Sequence, residues 1–88
     1  MAGRPIDPAE SERVWHEADD QEFIAYMVEH WPADWPQSVY ERGLTIVRQV
    51  GLRWASRHPD RPRMTDDEVT EVCAMVEVAI ALHDEGLA

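Results

Sequence analysis

Residues 65–86 read TDDEVTEVCAMVEVAIALHDEG, and this stretch decides the fold. Thr65 with Glu68 three positions later is the pattern of a capping box, in which each side chain satisfies an amide that the first helical turn leaves unpaired. Asp66 and Asp67 favour the positive end of the helix dipole. Gly86 marks the stop. Between these signals Val69, Val72, Cys73, Val76, Ala79 and Ile80 recur at helical spacing, which predicts a helix over 66–85 with an apolar core stripe. Ala74, Met75, Val78, Ala81 and Leu82 then cover much of the remaining circumference, leaving Thr70, Glu77 and Asp84 as a narrow polar strip. A helix apolar on nearly all sides is expected to be buried on more than one of them. Either it lies at the centre of the bundle, or it packs against a second copy of the chain. With so few other helices to cover it, the expectation is a homodimer with Met75, Val78, Ala81 and Leu82 at its interface.

Working back from this helix, His58-Pro59-Asp60-Arg61-Pro62-Arg63 reads as a loop, because its two prolines stop any helix. Before it, residues 37–57 read as a long amphipathic helix. Val39, Tyr40, Gly43, Leu44, Ile46, Val47, Val50, Trp54 and Ala55 fall on one broad face at about 100° per residue. Gly43 and Gly51 lie within that face, although glycine costs about 1 kcal/mol in a helix interior. Close approach of another helix backbone is the expected reason. Trp31-Pro32-Ala33-Asp34-Trp35-Pro36 forms a connection with two Trp-Pro steps, and the first proline ends the preceding helix. That helix, over 20–31, is capped by Asp19 or Asp20 and carries Phe23, Ile24, Met27, Val28 and Trp31 at helical spacing. Asp7 before Pro8 opens a first helix over 8–18. No run alternates with strand period. The expectation is an all-α bundle of three to four helices, folded as a single domain over 1–88.

The 88 residues carry 18 acids against eight bases, all arginine, for a net charge of −10. The charge is banded. Residues 1–40 sum to −7, residues 41–63 hold six arginines and sum to +4, and residues 64–88 sum to −7. Such a field repels phosphate backbones, which argues against direct nucleic-acid binding. It also weakens adsorption to an anionic bilayer, and it raises the encounter rate with basic proteins. Cys73 is the single cysteine, so no internal disulfide is available. The start MAGRPIDPAE has no apolar core of signal-peptide length, and the stretch around 72–82 is too short to span a bilayer. A reducing, cytoplasmic setting with no membrane role is expected.

Few motifs bear chemistry. His16 and Glu17 stand near Asp19, Asp20 and Glu22, but no Glu-x-x-His spacing occurs, so solvated acids at a helix start are expected rather than a metal site. His30 and His58 fit helix C-terminal ends, and His83 continues the apolar stripe of its helix. Cys73 lies mid-stripe without a neighbouring base, which reads as a buried, inert thiol. Ser38 is flanked by Gln37 and Val39, not by the Asp and Leu around the prosthetic-group serine of acyl carrier proteins. Neither a catalytic set nor a cofactor is expected. Arg42, Arg53, Arg57, Arg61 and Arg63 have acidic blocks on either side, within the range of the Debye length of about 8–10 Å. Salt bridges to the acidic helices are therefore their expected role, and surface pairs of that kind add little stability.

The leading functional expectation is an acidic interaction protein that binds a basic partner, such as a nucleic-acid-handling enzyme, as an inhibitor or regulator. In size, charge and helicity alone the chain resembles phage-encoded inhibitors, DNA mimics and nuclease-immunity proteins, without a family motif. That resemblance implies charged contacts at Asp19, Asp20, Glu22, Asp66, Asp67, Glu68 and Glu71. Trp31 and Trp35 are expected to close over the ends of the core, and a ring left exposed would join the contacts. The competing expectation is a small helical enzyme or subunit, with His16, Glu17 and His83 meeting at a dimer interface.

Overall fold

Asp7, Asp19, Ser38 and Thr65 each place a side-chain oxygen where the first turn of a helix has amides to satisfy, and the four helices start there. In the computed structural model, which describes residues 5–31, 38–61 and 63–85, these are α1 (Pro8–Glu17), α2 (Asp20–Glu29), α3 (Val39–Arg57) and α4 (Asp66–Asp84). Among the described residues there is no strand. Asp7 Oδ1 accepts from the Ala9 amide at 3.0 Å, and Asp19 Oδ1 accepts from the Glu22 amide at 2.8 Å. The capping box is complete, with Thr65 Oγ1 accepting from the Glu68 amide and Glu68 Oε1 from the Thr65 amide.

α1, α2 and α4 stop one or two residues earlier than sequence spacing indicates, while α3 ends at Arg57 as expected. Ala18 is extended, because Asp19 must stand outside the next helix to cap it. α2 ends at Glu29, with His30 as its C-cap. His30 Nδ1 donates to the Tyr26 carbonyl at 2.9 Å, and its ring stacks on Tyr26. α3 ends the same way: His58 Nδ1 donates to the Trp54 carbonyl at 3.0 Å and the imidazole stacks on the indole. In both, an aromatic residue precedes the histidine by four positions, one helical turn. The expected stop at Gly86 lies outside the described residues.

The core joins Val14 and Ala18 to Phe23, Ile24 and Val28, then to Ile46 and Val50, and to Val72, Val76 and Ile80. α4 packs against both α2 and α3, while α1 packs on α2. α2 and α3 thus cover the same side of α4, and α4 does not lie at the centre of the bundle. Val72, Val76 and Ile80 are buried, whereas Val78 is 58% exposed and Leu82 38% exposed.

α3 departs further from expectation. Ile46, Val50 and Trp54 are buried, but Val39, Tyr40 and Leu44 face solvent, with Tyr40 72% exposed. The buried side is rotated toward Arg42 and Arg53, which share it with Ile46 and Val50. The glycines also lack the expected cause. A Cβ on Gly43 would meet Val76 Cγ1 at an ordinary 3.5 Å, and one on Gly51 would meet nothing within 4 Å. Neither marks a close backbone approach.

Candidate functional site

Four arginines of the middle block, Arg42, Arg53, Arg57 and Arg61, make contacts within the molecule, and two of them are not the surface pairs expected from the sequence. Arg53 is 1% exposed. Its Nε donates to the Trp15 carbonyl, and its Nη1 donates to the Asp19 carbonyl and to Asp20 Oδ1, each at 3.2 Å. The guanidinium also lies over the Phe23 ring, 4.9 Å from its centroid. Burial lowers its pKa, and the neighbouring charge of Arg57 adds to that. Arg57 Nη2 donates to the His16 carbonyl. Two α3 cations therefore hold the C-terminal carbonyls of α1, where the helix dipole is negative. Arg42, 5% exposed, reaches Asp84 at 2.5 Å and ties the start of α3 to the end of α4. Arg61 pairs with Glu68 at 2.7 Å and stacks over Trp54, tying the loop after α3 to the start of α4. The available signal was phase: Arg42, Ile46, Val50, Arg53 and Arg57 follow core spacing along one helix.

Four of the proposed contact acids have partners within the molecule. Asp19 caps α2, Asp20 pairs with Arg53, Glu22 pairs with Arg13 at 3.2 Å, and Glu68 closes the capping box. Glu68 is held down to about 2 by the Thr65 amide first and then by Arg61. Trp31 is 8% exposed and belongs to the core, so its ring is not a contact; Trp35 lies outside the described residues. Asp66, Asp67 and Glu71 are exposed and make no ion pair among the described residues.

Those three acids belong to the helix that also carries the exposed apolar residues. Ala74, Val78, Ala81 and Leu82 form a band along the outer flank of α4. The band continues into a groove of about 390 Å³ between α2 and α4, lined by Gln21, Ile24, Met75, Val78, Ala79 and Leu82. By helical phase at about 100° per residue, Asp67 and Glu71 border the band at one end and Glu85 at the other. The residues expected at a dimer interface and two of the expected acidic contacts, Asp67 and Glu71, are thus parts of one surface. The sequence-based reading had not joined them.

On the other side of α4, a second groove of about 510 Å³ runs against α3, lined by Tyr40, Gly43, Leu44, Val47, Cys73 and Glu77. Cys73 is half-buried there. His16 and His83 do not meet within one molecule. Arg57 holds the carbonyl of His16, and Arg42 holds Asp84 beside His83, so the two histidines lie by opposite ends of α3, whose Arg42 and Arg57 are about 22 Å apart along the axis at 1.5 Å per residue. Among the described residues, no three His, Cys, Asp or Glu side chains gather as a metal site, and no helix is long and apolar enough to cross a membrane. The chain matches no protein-family model, no curated protein and no solved structure at a significant level.

Proposed function

We propose that this protein is a small acidic interaction module that docks on a basic partner protein through the outer flank of α4, as an inhibitor or regulator. The observation that carries the reading is the apolar band of Ala74, Val78, Ala81 and Leu82, bordered by Asp67, Glu71 and Glu85, which make no ion pair among the described residues. An apolar centre gives affinity by desolvation, and a single-sign border gives orientation and a fast encounter. A partner that presents an apolar ridge flanked by arginine or lysine fits that surface. A nucleic-acid-handling enzyme, whose own groove is basic, is a natural member of the class.

The same border disfavours self-association on this flank. Antiparallel pairing of two α4 helices would set Asp67 and Glu71 of one copy against Glu85 of the other, and α4 has no base except His83. The expected homodimer through Met75, Val78, Ala81 and Leu82 is therefore the weaker use of the face.

The test uses a partner captured on the intact protein and then purified. Asp67→Asn with Glu71→Gln is expected to slow association and flatten its salt dependence, and Val78→Glu to abolish binding. Binding that is indifferent to salt and to all three substitutions would overturn the proposal.

A further inference from the structure

α2 and α4 together carry neither arginine nor lysine. α2 has Asp20, Glu22 and Glu29 and no base, and α4 has six acids and, besides His83, no base. Four arginines reach these helices from elsewhere, and each is matched by an acid: Arg13 by Glu22, Arg53 by Asp20, Arg61 by Glu68 and Arg42 by Asp84. Asp67, Glu71 and Glu85 make no ion pair among the described residues, so the face keeps an excess of negative charge. Between the two helices runs the groove of about 390 Å³, and none of its lining residues is charged. Of these, Ile24 is buried, while Gln21, Ala74, Val78 and Leu82 are exposed.

We infer that the element a partner seats in this groove is a basic amphipathic helix. The inference rests on the reading of α4 as a docking surface and specifies what docks there. The groove offers side chains but no backbone partners. α2 and α4 pair their own amides and carbonyls internally, and among the described residues there is no strand edge to extend. An extended segment laid in the groove would lose the water on its peptide groups without replacement, whereas a helix satisfies its own. The length agrees. From Ala74 to Leu82 the apolar band runs about 12 Å, just over two turns, which matches an occupant's apolar row at i, i+3 or i+4, and i+7. Asp67 and Glu71 at one end of that row, and Glu85 at the other, then meet arginine or lysine on the occupant's polar flanks.

The probes are two peptides of about 18 residues, long enough to form a helix, with the same leucine and lysine content. One is ordered as an amphipathic helix and the other is scrambled. Fluorescence anisotropy with the intact protein is expected to show the ordered peptide binding below about 100 µM and the scrambled one about tenfold more weakly. Gln21→Arg on α2 and Ala74→Arg on α4, both at exposed positions lining the groove, are each expected to weaken the ordered peptide about tenfold with helicity unchanged. Glu12→Gln on α1 makes the same change in net charge outside the groove and is expected to alter binding less than about twofold. Equal affinity for the two peptides, or a similar loss in all three variants, would assign the binding to net charge and overturn the inference. So would an ordered peptide that does not bind at about 100 µM. Loss with Ala74→Arg but not with Gln21→Arg would also overturn it, while leaving the outer flank of α4 as the docking surface.

Discussion

Arg53 donates its Nε–H to the carbonyl oxygen of Trp15 at 2.7 Å, joining α3 to the last turn of α1. That carbonyl is among those a helix leaves unsatisfied at its end, and the donor is a cation facing the negative end of the dipole. The same guanidinium spans the α1–α2 corner through Asp19 and Asp20. One side chain thus sets the angle at which the first two helices meet the third.

Replacing Arg53 should show this directly. Arg53→Ala removes the packing of the stem and leaves the Trp15 and Asp19 carbonyls without a donor, for an expected loss of about 3 kcal/mol. Arg53→Met keeps the stem and relieves the burial of Nη2, which has no hydrogen-bond partner among the described residues, so its expected loss is smaller, about 1–2 kcal/mol. Urea unfolding of both variants measures the difference, and equal losses would contradict the account.

Gly51→Ala should stabilise the isolated chain by about 0.5–1 kcal/mol, since the added methyl meets nothing and the helix gains propensity. Gly43→Ala should gain less, because its methyl must share space with Val76. Thermal unfolding at submicromolar protein concentration reads the helix term alone.

The capping box should give way in acid. Glu68 titrates at about 2 in the folded protein, below its ordinary 4.5, so its ionised form is favoured by folding. The stabilisation is complete above pH 4.5 and is lost as pH falls toward 2. The stability gap between the parent and Glu68→Gln should therefore be widest above pH 5 and close toward pH 2. A gap that is constant with pH would exclude the ionised carboxylate as its source.

The two flanks of α4 should respond oppositely to substitution. Ile80 is fully buried, so Ile80→Ala should cost about 3 kcal/mol. Val78 is more than half exposed, so Val78→Glu should change stability by less than about 0.5 kcal/mol. Denaturation midpoints of the pair check which side of the helix the core uses.

Much of the fold was legible because it rests on local signals. Asp7, Asp19 and Thr65 are short polar caps whose side chains reach only their own first turn, and the stripe Val72, Val76 and Ile80 declares itself by period. The rotation of α3 was not legible. A count of apolar residues puts Tyr40 and Leu44 inward, but Arg42 and Arg53 supply enough buried stem and enough distant acceptors to claim that side. The acceptors of Arg53 include the carbonyls of Trp15 and Asp19, which carry no side-chain signature, and that of Arg42 is Asp84, 42 positions away in sequence. Which acids pair within the molecule was not legible for the same reason: Asp20, Glu22 and Glu68 look alike in sequence to Asp67 and Glu71 until the arginines choose their partners. The shared surface of acids and apolar residues on α4 was legible in part, through helical phase, while the groove against Ile24 needed the packing of α2.

The stacked histidines at the ends of α2 and α3 carry one more implication. A carbonyl can only accept, so each ring holds a hydrogen on Nδ1, and that hydrogen is present whether the imidazole is neutral or cationic. The two closures act as latches that stay shut through either protonation state, with the aromatic partner as the plate beneath. Only the tautomer without the Nδ1 hydrogen is forbidden to them.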